Sequence, residues 1–362
     1  MITREAVIES LRAVDDPELH RSVVDLDMVR HVVVNGTEVS VTLALTIPGC
    51  PLKDYFNRAV PQAVQAGCPE VTAVHLELTS MSEDERSRVI GDVRVRVPKV
   101  GDSESRTRII AVGSGKGGVG KSTVAVNLAA ALTTRGHKVG LLDADIWGFS
   151  VPHMLGATGR PTVVDDLIMP IEAHGMSVLS IGNFVPEDSP VVWRGPMLHK
   201  ALEQMLADVH WDDRDYLVID MPPGTGDVSI SLSQYLPNAD FLLVTTPHDT
   251  AERVALRAGR MMEKVGMRLA GVVENMATFV CGDCSTEHQL FGIGAGSRLA
   301  ELLDVPLLAR IPLEPALTSQ VDGTAPTVLT HPETLSATRF AELASTIAGQ
   351  SSLVRRPLPL LT

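Results

Sequence analysis

From residue 108 onward, short apolar runs alternate with stretches of helical length. Arg108 to Ser114, Lys138 to Leu142, Asp215 to Ile219, Phe241 to Thr245 and Leu269 to Val273 are the runs. Lys121 to Arg135 has the spacing of a helix, and Gly136 stops it. Continuous apolar runs separated by helices indicate parallel strands covered on both faces. The pattern therefore predicts an α/β domain over residues 108–350 with a mostly parallel sheet. Residues 1–95 read as a small α+β domain. Glu5 to Val14 is helical in spacing, Glu38 to Thr46 (EVSVTLALT) alternates as a strand, and Val71 to Thr79 reads as another strand. Lys53 to Ala66 is helical in pattern, with Pro61 expected to bend or interrupt it. Residues 96–107 hold the polar stretch KVGDSESRT, which lacks apolar periodicity and reads as a linker. Residues 351–362 contain Pro357 and Pro359 and read as a flexible tail.

Composition narrows the classes. Of 362 residues, 44% are hydrophobic and 21% charged, which suits a globular protein with a sizeable core. Thirty-one basic residues face 44 acidic ones, a net charge of −13. That balance argues against a general binder of nucleic acid or of anionic membrane, but not against a local ATP site. Met1 to Arg12 lacks the basic start and apolar core of a signal peptide. No apolar stretch approaches the roughly 20 residues that span a bilayer. The expectation is a cytoplasmic protein. The four cysteines, Cys50, Cys68, Cys281 and Cys284, are too sparse for a disulfide framework.

The sequence Gly115-Lys116-Gly117-Gly118-Val119-Gly120-Lys121-Ser122, followed by Thr123, matches G-x-x-x-x-G-K-[ST] between a predicted strand and a predicted helix. Glycines allow the turn and bring amides close to phosphate oxygens, and the helix adds its positive end. Lys121 is expected to reach the outer phosphates and Ser122 to hold Mg²⁺. Asp143-Ala-Asp145 and Asp220 end apolar strands at the edge where α/β sheets bind ligands. A carboxylate there can hold Mg²⁺ directly or through water. Gly224 and Gly226 make a loop able to move with the γ-phosphate. For Asp143 and Asp227, helix capping competes evenly with a role in the site.

The run GKGGVGKST also resembles the deviant Walker motif of MinD-like and nitrogenase-reductase-like ATPases. That resemblance implies that Lys116 reaches across a homodimer to the partner's nucleotide. A cation arriving there stabilises charge on the transferring phosphoryl group.

Cys281-Gly-Asp-Cys284 lets two thiolates converge on one soft metal centre. Three readings stand: a redox pair, a zinc site with His288 as a weak third ligand, or half of an iron–sulfur site completed by a second subunit. The segments DADIWGFSVP (143–152), VVWRGPM (191–197), DMPPGTGD (220–227), VVENM (272–276), LFG (290–292) and IPLEPAL (311–317) occur in the order of the Mrp/ApbC family. The resemblance runs from about residue 108 to 345. It implies a P-loop ATPase that carries a labile [4Fe-4S] cluster on Cys281 and Cys284 at a homodimer interface and passes it to apoproteins. It also implies that Asn275 hydrogen-bonds adenine, that Pro312 to Glu314 line the base pocket, and that Asp145 orients the attacking water or senses the γ-phosphate. Trp147, Phe149 and the Gly-Asp within the cysteine pair depart from the family pattern. Asp283 adds negative charge beside the proposed cluster. His248 and Trp193 to Met197 receive no chemical role.

Asp16-Pro-Glu18, Val24-Asp25-Leu26 and Thr46-Ile-Pro-Gly-Cys-Pro51 resemble the small MIP18-like domain of iron–sulfur assembly proteins, over roughly residues 3 to 95. Cys50 is either an exposed thiol for cluster handling or a buried small hydrophobe, whereas Cys68 reads as structural. The expected partners are a second copy, apo iron–sulfur proteins and cluster assembly factors, with no nucleic acid and no membrane. A positioning or partitioning ATPase would share the P-loop, but the tail SSLVRRPLPLLT offers no amphipathic membrane helix and no basic face. A nitrogenase-reductase-like electron donor would carry its cluster cysteines far apart in sequence. A zinc-holding ATPase remains for metal analysis to separate.

Overall fold

The computed structural model describes residues 2–17, 19, 21–46, 52–96, 100, 105–146, 148–185, 195–211, 213–224, 226, 232, 235–236, 238–281, 283–284, 286–318 and 325–350. Cys50, Trp147, Trp193, Asp227 and the tail 351–362 lie outside the described residues, as do parts of the predicted linker. The chain divides into two compact units. One is Met1–Pro98 with Thr162–Met169, and the other is Lys99–Pro161 with Pro170–Thr362.

In the first unit, strands Val29–Asn35 and Glu38–Leu45 pair antiparallel, and Glu38–Leu45 pairs parallel with Ala73–Ser80. The helix Lys53–Gly67 is the crossover between the parallel pair. Its Phe56, Val60 and Val64 recur every fourth residue, and all three are fully buried. That buried stripe holds the helix continuous through Pro61, which removes one amide but does not interrupt the helix. Helix Glu83–Arg96 follows a reciprocal cap. The Glu85 amide donates to Ser82 Oγ at 3.4 Å, and the Ser82 amide donates to Glu85 Oε2 at 2.9 Å.

A hairpin drawn from far along the chain completes this unit. Strands Thr162–Val164 and Leu167–Met169 pair antiparallel, and Val164, Leu167 and Met169 join the core with Val7, Leu11, Leu43 and Phe56. Asp165 sits at the tip with φ 53°. Its carboxylate accepts from Arg86 Nε at 2.8 Å and from Ser87 Oγ at 3.2 Å.

Among the described residues, the second unit is built on a nine-stranded sheet. Its order is Ile171–Ala173, Met176–Ser180, Val139–Asp143, Tyr216–Asp220, Arg108–Ser114, Asp240–Thr245 and Arg268–Val280; Glu287–His288 and Leu307–Leu313 both pair with the last of these. All neighbours run parallel except at Ile171–Ala173 and Glu287–His288. Helix Lys121–Thr134 is buried around nearly its whole circumference. It lies between the sheet and Phe340, Leu343, Ala344 and Ile347 of helix Leu335–Gly349. The strand predicted at Leu269–Val273 continues to Val280. Glu274 and Asn275 end its apolar run in the sequence, yet both are buried, at 0% and 3% exposure.

Candidate functional site

The strand register sets the site. Asp220 lies opposite both Val112 and Asp143 in its neighbouring strands. The P-loop leaves the next strand at Ser114, so acids and loop share the carboxyl edge of the sheet. Gly118 and Gly120 each take φ 77°, a conformation that side chains rarely adopt. A β-carbon on Gly115 would stand 2.5 Å from the Val254 and Ala255 backbone, whereas one on Gly117 or Gly118 would meet nothing within 4 Å. The loop is thus packed behind and open in front. Gly120 gives the following helix no side-chain cap, leaving its first amides to an incoming anion. Thr123 lies in the first turn, where its carbonyl accepts from Asn127 Nδ2 at 2.9 Å.

Lys121 is buried, with its Nζ 2.6 Å from Asp220 Oδ1 and 3.4 Å from Asp145 Oδ2. Ser122 Oγ donates to Asp220 Oδ2 at 2.6 Å. Asp143 accepts from the amides of Asp145 at 3.1 Å and Val151 at 3.3 Å, and from Ser180 Oγ at 3.1 Å. Burial, then the charge of Asp220, pushes the Asp143 carboxyl up to about 8, against the opposing pull of Lys121. Burial also pushes Asp220 up, with Lys121 and Ser122 opposing. Asp220 and the Ser122 hydroxyl beside it are oxygen donors of the kind that a divalent cation takes together with phosphate oxygens and water. Asp143 positions the Asp145 turn by accepting from its amide.

Lys116 is half-buried and makes no ion pair with the described residues. Asn275 Nδ2 donates to the Val119 carbonyl at 2.9 Å, which ties the strand to the P-loop. Pro312 is buried one residue beyond Ile311, the partner of Asn275 in the adjacent strand. Glu314 accepts from the Ser336 amide at 2.6 Å, near the start of helix Leu335–Gly349. His248, which sequence reasoning left without a role, caps helix Asp249–Lys264: its Nδ1 accepts from the Thr250 amide at 3.4 Å.

The cysteine pair begins where strand Arg268–Val280 ends. The Cys281 amide donates to the Thr286 carbonyl at 3.0 Å, closing a turn that leaves Cys281 half-buried and Cys284 exposed. Cys284 Sγ lies 3.2 Å from Thr286 Oγ1. Hydrogen bonds from Thr286, and then from Cys281, hold the Cys284 thiol below its ordinary value, which favours the thiolate that binds soft metals. Leu290, Phe291 and Ile293, just beyond, are exposed at 56%, 40% and 60%. Among the described residues, no group of three or more His, Cys, Asp or Glu side chains is arranged to hold a metal. Cys68 is buried in the core of the first unit.

Residues 105–348 match a family model described as NUBPL iron-transfer P-loop NTPase, and residues 4–76 match one described as iron–sulfur cluster assembly protein. The chain is 48% identical over 339 residues to the iron–sulfur cluster carrier protein of Mycobacterium tuberculosis, covering 91% of this chain and 88% of the relative. It is 40% identical over 363 residues to the protein of the same name from Synechocystis, covering 98% and 99%. Among solved structures, it resembles a nucleotide-binding protein from Archaeoglobus fulgidus in complex with ADP. The TM-score is 0.53 at 34% identity, over 61% of this chain and 91% of that one. The cell division ATPase MinD of Pyrococcus furiosus gives a TM-score of 0.51 at 27% identity, over 67% of this chain and 98% of that one. A P-loop backed by buried acids, a cysteine pair with one exposed thiol and these likenesses lead to one assignment: the chain belongs to the family of iron–sulfur cluster carrier P-loop NTPases.

Proposed function

We propose that this protein is an ATP-dependent carrier that holds a labile [4Fe-4S] cluster between two copies of itself and passes it to apo iron–sulfur proteins in the cytoplasm. The observation that carries this reading is the pair of half-buried Cys281 and exposed Cys284. Two thiols from each of two chains make the four thiolates that such a cluster requires, and no third protein ligand stands beside them among the described residues.

The amides of Gly115 to Thr123 bind the phosphates, and Lys121 exchanges Asp220 for the outer phosphate oxygens. Ser122 and Asp220 would hold Mg²⁺, whose chemistry is to screen the phosphate charge. Asp145, freed from Lys121, orients the attacking water. Lys116 serves the partner's nucleotide, which makes hydrolysis depend on the dimer. Asn275 and Pro312 receive the base, and ATP is the preferred nucleotide. Hydrolysis is slow, because the nucleotide works as a switch on the grip of the cysteines. Residues 108–350 form the ATPase domain and residues 1–95 the small domain, with 96–107 between them, and assembly factors are further partners.

The test is anaerobic reconstitution with iron and sulfide, comparing the wild type with the Cys281→Ala/Cys284→Ala double variant. About four irons and four sulfides per wild-type dimer, lost in the variant, are expected. A wild type that holds zinc or no metal would overturn the carrier reading and leave a P-loop NTPase whose cysteines serve another purpose.

A further inference from the structure

Strand Arg268–Val280 carries two adjacent buried polar side chains that look toward different parts of the molecule. Asn275 holds the P-loop through the Val119 carbonyl. Glu274 has no part in the nucleotide or cysteine site as described so far. It has no solvent exposure, and both of its carboxylate oxygens are engaged. Oε1 accepts from the Gly296 amide at 2.8 Å, and Oε2 accepts from Arg310 Nε at 2.8 Å. A carboxylate is kept so deep only when it is paired and hydrogen-bonded, because desolvation otherwise costs several kcal/mol.

The Gly296 contact and the strand that carries Glu274 lie at the two ends of the cysteine segment, while Arg310 belongs to the adjacent strand Leu307–Leu313. Gly296 belongs to the first turn of helix Ala295–Leu302, the element that ends residues 281–294. A β-carbon on Gly296 would stand 2.7 Å from Glu274 Cβ, so a glycine is needed for this approach. At the other end, Cys281 directly follows the strand itself. Between Asn275 and Cys281 the strand breaks its ladder: Met276 takes φ 54°, and the partners jump from Asn275 with Ile311 to Phe279 with Leu313. Four positions on one strand are set against two on the other, a bulge at which one strand can bend relative to its neighbour.

We propose that Glu274 is a positioning residue that couples the P-loop to the cysteine segment. The inference rests on the reading of Cys281 and Cys284 as the cluster ligands. Contact with the P-loop is tight: a β-carbon on Gly120 would fall 2.2 Å from Asn275 Nδ2, so loop and strand have no slack between them. A shift of the Val119 carbonyl on nucleotide binding moves Asn275. The adjoining Glu274 pulls the Gly296 amide, and with it the exit end of the cysteine segment. Bending at Met276 moves the entry end. The chain of contacts is contiguous, and each link is a directional hydrogen bond or close packing.

The test needs no cluster. Alkylation of Cys281 and Cys284 by iodoacetamide is followed by peptide mass spectrometry on the reduced, metal-free, full-length protein, with and without ADP and Mg²⁺. Nucleotide is expected to change the wild-type rate by about threefold or more. In Glu274→Ala that ratio falls toward unity, while nucleotide affinity stays at the wild-type level. A merely structural role would lower the melting temperature and leave the ratio intact. Glu274→Gln keeps the shape, removes the charge facing Arg310 and is also expected to lower the ratio, so one folded variant suffices. A full wild-type ratio in whichever variant folds, or a wild type indifferent to nucleotide, overturns the coupling. Iron content after reconstitution separates the two ideas. A nucleotide response without cluster uptake would sink the carrier reading and leave the coupling, and uptake without a response would do the reverse.

Discussion

Asp143 shows what burial does to a single side chain. Its carboxyl is fully buried next to another acid, and it holds its proton up to about 8 rather than 3.8. Between those two values the folded chain carries a proton that the unfolded chain has released. The nucleotide-free protein should therefore be most stable at the acid end of that window and lose stability as the pH rises toward 8. The slope contributed by this group is at most about 1.4 kcal/mol per pH unit. Urea unfolding at pH 6 and pH 8 checks it, with Asp143→Asn as reference; the wild type should lose more than the variant over that interval. Equal losses would assign the proton to another group. The P-loop residues were legible in the sequence because their chemistry is local, a spacing of glycines, lysine and serine along one turn. The state of Asp143 was not, since it depends on Ser180 and Asp220 from distant strands. Glu274 stood inside a recognised segment without a role, because its partners Gly296 and Arg310 lie 22 and 36 positions away.

Elements come next. The P-loop packs directly against the strand that carries Asn275. Gly120 combines φ 77° with a neighbour, Asn275 Nδ2, where its side chain would have to stand. Gly120→Ala must both strain the backbone, at about 1–3 kcal/mol, and displace Asn275 from Val119. Nucleotide affinity measured by calorimetry should fall by about tenfold or more, consistent with that strain. An affinity within twofold of wild type would mean that the loop rearranges freely. The parallel strands were readable because apolar runs buried on both faces leave a continuous signature. Other elements were not read, and two show why. Helix Glu83–Arg96 announces itself only through the Ser82–Glu85 cap, and the end of strand Arg268–Val280 is hidden by the buried Glu274 and Asn275.

At the scale of the whole chain, the small unit depends on residues that follow the P-loop helix. Leu167 is 3% exposed, and Val164 and Met169 are 2% exposed, all within the core of the first unit. Leu167→Ala should destabilise that unit by about 2–5 kcal/mol, seen as a lower first transition in calorimetry. A single unchanged transition would show that the hairpin contributes little. No periodicity in residues 162–169 distinguishes this hairpin from the sheet strand that follows it. Its destination is fixed by three apolar side chains meeting a core built from residues of the first 90 positions. None of the described helices is long and apolar enough to cross a membrane.

The hairpin has a topological consequence. The chain passes between the two units at Pro98 to Lys99, at Pro161 to Thr162 and again at Met169 to Pro170. A protease nick confined to the polar stretch between the two regions would cut only the first of these passages. The fragments would stay joined through the hairpin under native conditions and come apart in denaturant, so limited digestion followed by native gel filtration would report an intact particle.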